Sequence, residues 1–256
     1  MSVIDTFRLD GKVAIVTGSA RGLGQSIAIG LADAGADVFL VDTLAGEETA
    51  AAIRQLGRQA AICQYDLLGL ASDRAEQLIA QCNSSLGGVD ILVNNAGIIR
   101  RDTAVDFSER DWREVLSINL DAAFYLSQAA ARHFVAKQRP GKIINMASML
   151  SFQGGVTVVS YAAAKSAIAG MTRALANEWA ADKIFVNALA PGYFATELTR
   201  GIRSDPVREA ELLQRIPAGR WGVPEDLQGP VVFLASAASN YLNGTILAVD
   251  GGWLSR

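Results

Sequence analysis

The sequence predicts a doubly wound α/β fold, with a seven-stranded parallel sheet and helices on both faces. Three observations predict it. Seven short runs rich in β-branched residues recur along the 256-residue chain. Between them lie alanine- and leucine-rich segments whose apolar residues repeat near every ~3.6 positions. The runs are mostly unbroken apolar sequence instead of alternating, as expected of strands covered by helices on both sides. Strand alternating with helix implies crossover connections and parallel pairing. The length suits one domain with a full core, 1–256, and no repeat, low-complexity tract or long linker divides it.

Each element follows in order. "KVAIVTG" is the first strand, and "GQSIAIGLADAG" the helix after it. "ADVFLVD" is the second strand, ending at Asp42, and "EETAAAIRQLG" its helix. "AAICQYDL" carries Asp66 at the end of the third strand, before the helix in "DRAEQLIAQCNSSLG". Glycine closes each of these helices, the residue that best accepts the left-handed turn at a helix end. "VDILVNNAG", "GKIINMAS", "IFVNALAPG" and "TILAVDGG" supply the remaining four strands. After the sixth strand, "YFATELTRGIRSDPVREAELLQRIPAGRWGVPED" has prolines, many charges and poor periodicity, so about 193–225 is expected to be an irregular, mobile insertion. In an open α/β sheet the ligand lies beyond the carboxyl ends of the strands, which places this segment as a lid.

Composition removes several functions. The net charge is −3 and 19% of residues are charged, so neither disorder nor nucleic-acid binding is indicated. No segment approaches the ~18 uncharged apolar residues of a membrane span, and the N-terminus lacks a signal-peptide run; a soluble cytoplasmic protein is expected, with no membrane partner. Cys63 and Cys82 have no CxxC spacing or neighbouring histidine, and read as reduced thiols with no metal between them. His133 is the one histidine and falls at the outer end of a helix, which excludes Ser-His-Asp hydrolysis and HExxH zinc chemistry. Proton chemistry must use another group.

"TGSARGLG", residues 17–24, follows the first strand and opens a helix. Gly18 permits the tight turn, Gly22 removes a side chain where a pyrophosphate must approach, and Gly24 lets the helix sit close to the sheet. That is the Rossmann arrangement for a dinucleotide. Asp42 is placed to accept hydrogen bonds from the adenosine ribose and to repel a 2′-phosphate, which favours NAD over NADP. Arg21 opposes that preference, because a guanidinium in the turn could bind the phosphate bidentately. Asp66 would lie beside the adenine, or else cap the helix in "LLGLASDRAEQ".

"SMLSFQGGVTVVSYAAAKSAIAG" places Tyr161 and Lys165 four residues apart, one helical turn, with Ser148 thirteen positions upstream. Together with "TGSARGLG", "NNAG" at 94–97, Asn119 and "PGYFAT" at 191–196, these residues resemble the short-chain dehydrogenase/reductase family over essentially the whole chain. The resemblance implies a tyrosine-dependent hydride-transfer enzyme. Its chemistry can be argued from the residues. A free phenol, with a pKa near ~10, is too weakly ionised to act as base at neutral pH. The Lys165 charge, with that of an oxidised nicotinamide, should lower it; about three units correspond to ~4 kcal/mol. Ser148 would orient the reacting oxygen. By resemblance Asn119 is the fourth catalytic residue, holding a water that passes protons from Lys165 to solvent, although read alone it could be a helix-kink asparagine. The resemblance also implies cofactor contacts from Ala20, Leu23, Leu67, Asn95, Ala96, Gly97, Tyr161, Lys165, Pro191, Gly192, Phe194 and Thr196, with Phe194 where the family is commonly aliphatic.

Substrate choice rests on the variable pieces. Arg100 and Arg101 follow "NNAG" at the mouth of the cleft. A guanidinium facing inward, Arg101 being the candidate, could hold a carboxylate bidentately, which points to a small-molecule acid sugar. "GKIINMASMLSFQGG" and "LNGTILAVDGGWL" resemble gluconate-type members acting on substrates of the 2-deoxy-D-gluconate or 2-dehydro-3-deoxy-D-gluconate type. That resemblance implies a homotetramer, to which the apolar C-terminal stretch would contribute, and a sugar pocket lined by Met149 and Gln153 with Ser148 and Tyr161. Two alternatives compete: an NADPH-dependent 3-oxoacyl-carrier-protein reductase, and a non-catalytic dinucleotide sensor.

Overall fold

The computed structural model describes residues 2–255; Met1 and Arg256 lie outside the described residues, and of Leu198 only the backbone is described. Seven parallel strands, β1 (Val13–Thr17), β2 (Asp37–Asp42), β3 (Ala60–Gln64), β4 (Ile91–Asn94), β5 (Gly141–Met146), β6 (Ile184–Pro191) and β7 (Ile246–Val249), form one sheet in the order β3-β2-β1-β4-β5-β6-β7. The order reverses between β1 and β4, which opens a crevice beyond their carboxyl ends.

Each face of the sheet carries its own apolar layer. On one face α3 (Ser72–Leu86), α5 (Ala122–Lys137) and α6 (Val159–Trp179) contribute Leu78, Leu126, Phe134 and Leu175 against Ile15, Leu92 and Ile143. On the other, α1 (Gly22–Asp33), α2 (Glu47–Gln55) and α9 (Gln228–Ala235) contribute Ile27, Leu31, Ile53 and Val231 against Val16, Leu40 and Ile144. Every residue of β1 is therefore buried, and its apolar run has no alternation to show. The edge strand β7 stays partly exposed. The sheet and α1–α3 agree with the sequence expectation.

The segment after β6 departs from it. About 193–225 is not irregular: it contains α7 (Arg200–Arg203) and α8 (Pro206–Arg215). Asp205 caps α8 through the backbone N–H groups of Val207 and Arg208, and Pro206 occupies its first turn. Leu212 and Ile216 are buried with Met149 and Trp253. Over ten residues, one buried face gives too few apolar repeats to register as a period. At the C-terminus Trp253 is 3% exposed and packs within its own chain, while the apolar stretch of β7 before it stays partly exposed. Among the described residues no helix is long and apolar enough to cross a membrane.

Candidate active site

The glycine turn after β1 assembles as its spacing requires. Gly18 and Gly22 have φ of +64° and +60°, in the left-handed region. A Cβ on Gly24 would collide with the Gly18 carbonyl, so α1 can approach the strand only with glycine there, whereas one on Gly22 would meet nothing within 4 Å. Asn95 fixes the turn from the next strand: its side-chain amide donates to the carbonyls of Thr17 at 2.8 Å and Gly18 at 3.1 Å. Its amide is thus engaged with the turn, while Asn95, Ala96 and Gly97 all border the crevice. No side chain caps the N-terminus of α1, and its first amides face an open space of about 740 Å³ lined also by Gly18, Leu23, Pro191, Gly192 and Thr196. The room over Gly22 and the uncapped amides fit a dinucleotide pyrophosphate.

Asp42, at the end of β2, accepts from Ala20 N at 2.9 Å and Leu44 N at 3.0 Å. Ala20 therefore acts through its backbone, holding the carboxylate at the ribose end of the crevice. Arg21 lies exposed on the same lining. Asp66 and Leu67 line it too, beyond the end of β3. The capping alternative for Asp66 fails: α3 begins at Ser72, and Asp66 instead accepts from Leu68 N at 2.9 Å within a turn.

The residues expected to transfer protons converge from two elements. Tyr161 and Lys165 lie one turn apart on α6, and Ser148 sits just after β5, near enough to the Tyr161 phenol to pull its pKa down. Ser151 ties the two elements together, accepting from Ser148 N at 3.3 Å and donating to the Lys165 carbonyl at 2.6 Å. Lys165 is 4% exposed, donates to the Met146 carbonyl at 2.6 Å, and burial lowers its pKa to about 8. The expected fall of the phenol pKa does not arise from the chain's own residues. Burial raises Tyr161 above the ordinary phenol value, and the Ser148 hydrogen bond and the charge of Arg101 only partly oppose it. Lys165 engages a carbonyl and lies 5.5 Å from the ring centre of Tyr161.

Asn119 has the setting expected of a buried asparagine at an irregular helical turn. It is 2% exposed inside a π-helical turn, Ser117–Asp121, and its side chain clamps Ile98, accepting from N at 2.8 Å and donating to O at 2.8 Å. Beyond these bonds the side chain keeps one further N–H on Nδ2 and one further lone pair on Oδ1.

Three substrate-side expectations sort differently. Arg100 and Arg101 both line the crevice, but Arg100 pairs with Glu114 at 3.1 Å and Asp111 at 3.7 Å, whereas Arg101 acts on Tyr161 and enters no ion pair among the described residues. Met149 does not face a sugar pocket: it is 3% exposed, filling the space between Gly192, Leu212 and Trp253. Gln153 lines a neighbouring depression beside Phe152 and Val156, with its amide 3.7 Å from the Met149 sulfur. Phe194 borders the crevice but turns its ring onto Gly222, at 5% exposure, and joins the core. The sequence reasoning missed Tyr193, which lines the crevice between Gly192 and Phe194; its signal was a phenol inside "PGYFAT".

Residues 12–207 match the short chain dehydrogenase family. The chain is 53% identical to 2-dehydro-3-deoxy-D-gluconate 5-dehydrogenase of Escherichia coli (strain K12) over 99% of this chain and 100% of that protein. It is 51% identical to the protein of the same name from Bacillus subtilis (strain 168), covering 98% of each. A crystal structure of a gluconate 5-dehydrogenase from Burkholderia cenocepacia J2315 in complex with NADP and tartrate superposes with a TM-score of 0.93 at 42% identity, covering 100% of both chains.

Proposed function

This chain belongs to the short-chain dehydrogenase family, and from that premise we propose that it is a nicotinamide-dependent oxidoreductase interconverting a secondary alcohol and a ketone on a six-carbon acid sugar of the 2-deoxy-D-gluconate or 2-dehydro-3-deoxy-D-gluconate type. The observation that carries the acid-sugar reading is Arg101, a guanidinium without an ion pair among the described residues, in the same crevice as the Tyr161 phenol and acting on it electrostatically. A carboxylate held there leaves a carbinol of the same short molecule within reach of Tyr161.

The nicotinamide, when bound, accepts or supplies the hydride. The residues handle the proton. Tyr161 gives its proton to the carbonyl oxygen in reduction and takes it from the alcohol in oxidation, and Ser148 holds that oxygen. Lys165, bonded to the Met146 carbonyl, stands beside the phenol as the nearby cation. Ser151 keeps the Ser148 turn in register with α6.

For the cofactor, Asp42 supports NAD, because its carboxylate is held at the ribose end by two backbone amides and would repel a 2′-phosphate. A second reading, NADP, is favoured by Arg21 in the turn and by the NADP in the Burkholderia structure. The test follows nicotinamide absorbance with NAD and NADP against gluconate, 2-deoxygluconate, 2-dehydro-3-deoxygluconate and an acetoacetyl thioester. Acid-sugar turnover that falls about 10²–10⁴-fold in Tyr161→Phe is the expected result. NADPH-dependent thioester reduction without acid-sugar turnover would replace this reading with the carrier-protein reductase, and no turnover of any kind with the non-catalytic sensor.

A further inference from the structure

Tyr193 stands immediately after β6 in the crevice lining and has no role in the proton chemistry. Its ring is gripped edge-on by two indoles, Trp221 at 5.6 Å and 74° and Trp253 at 4.9 Å and 79°. Trp253 is 3% exposed and its own face is covered by the Arg215 guanidinium at 4.0 Å. A phenol with two indoles against it has little rotamer freedom left to lose when it binds something.

The corner around it is short of acceptors. The indole N–H groups of Trp221 and Trp253 are both buried without a protein partner, and buried donors of that kind are ordinarily met by water or ligand. Arg101 lines the same crevice without an ion pair among the described residues. Positive charge from Arg208, Arg215 and Arg101 reaches Tyr193, yet burial outweighs it and keeps the phenol protonated above its ordinary value. Arg208 is tied at 3.3 Å to Glu211. This is a neutral phenol in a positive, donor-rich corner, unlike Tyr161, which is placed beside a lysine to exchange its proton. An acyl chain would leave the Tyr193 hydroxyl and Arg101, both on the crevice lining, without acceptors, whereas a polyhydroxylated carboxylate brings acceptors to them.

We propose that Tyr193 is the specificity-determining residue of the substrate site, its hydroxyl binding a hydroxyl or carboxylate oxygen of a short polyhydroxylated acid whose reacting carbinol lies at Tyr161 and whose charge is met by Arg101. This rests on the acid-sugar reading above and deepens it. The residue sets which molecules are held, and takes no part in the proton transfer.

The test is Tyr193→Phe, which keeps the ring between the indoles and removes only the hydroxyl. Steady-state kinetics with D-gluconate and 2-dehydro-3-deoxy-D-gluconate are measured alongside NAD(H) dissociation constants by calorimetry. The KM for the acid sugar is expected to rise about tenfold while kcat falls less than about threefold, as for a group that binds ground and transition states alike. NAD(H) affinity is expected to stay within about twofold, because a structural defect beside Gly192 would weaken it together with kcat. An unchanged KM, or parallel losses in kcat and cofactor affinity, overturns the assignment of Tyr193 alone. Wild-type protein that turns over neither acid sugar overturns the acid-sugar reading and this assignment with it.

Discussion

Tyr161 shows how a single side chain's acidity is set by what surrounds it. Burial lifts the phenol, and Ser148 and Arg101 pull it partway back. The protein without cofactor therefore holds Tyr161 protonated, as the proposed ketone reduction requires, with Lys165, near 8, as the lower-titrating neighbour. As pH rises through about 8, Lys165 loses its proton, so kcat/KM for reduction should be level at neutral pH and fall above about 8; a profile flat to pH ~10 would exclude Lys165 as the titrating group. The two adjacent arginines separate by their partners. Arg101→Gln should raise the acid-sugar KM roughly 10–100-fold, the loss of a charge-assisted contact. Arg100→Gln should leave it within about twofold, because Arg100 is occupied by Glu114 and Asp111 on a partly exposed helix. Equal effects at the two positions would remove the argument for Arg101.

At the scale of elements, the turn between β1 and α1 depends on glycine for different reasons at each position. Gly22 needs its backbone conformation and leaves space above it, but Gly24 needs the absence of a Cβ, which would strike the Gly18 carbonyl. Gly24→Ala should therefore push α1 away from β1 and weaken dinucleotide binding at least about tenfold by calorimetry, since the Gly18 carbonyl it strikes is backbone and cannot swing aside as the Asn95 amide could. The spacing of these glycines and the Tyr161-to-Lys165 interval were legible because each lies within one local element whose geometry is fixed. The π-helical turn at Asn119 was not, because its cause is a clamp on Ile98, twenty-one residues away. Nor was α8, whose single buried face against Met149 and Trp253 is completed by residues from distant segments of the chain.

For the molecule as a whole, burial carries a cost at two lysines that no carboxylate offsets. Lys142 is 8% exposed on β5, held by the Ser239 hydroxyl at 3.1 Å and the face of Phe185 at 4.1 Å, and burial lowers its pKa from 10.5 to about 8. The folded state thus releases this proton more easily than the unfolded chain. Below about 8 both states are protonated and the penalty is constant; between about 8 and 10.5 the unfolded chain holds more protons, so this group's contribution to stability rises with pH. Lys142→Met should stabilise the protein by about 1–2 kcal/mol at pH 7 in urea, and should remove that rise relative to wild type. A destabilised variant would mean that the Phe185 and Ser239 contacts outweigh desolvation.

The sequence by itself determined the layered α/β architecture, the glycine turn after β1 and the placing of Tyr161 and Lys165 one turn apart on a helix. Those features are written in periodicity, in backbone freedom at glycine and in spacings of a single helical turn, all of which act over short stretches of chain. The tertiary structure decided which arginine of an adjacent pair is taken up by carboxylates, that Met149 fills a core and not a substrate pocket, and that Tyr193 is wedged between Trp221 and Trp253 at the crevice wall. Each of those outcomes depends on which distant segments compete for the same space and the same charge, and pairwise competition across the fold leaves no periodic mark on any one of them.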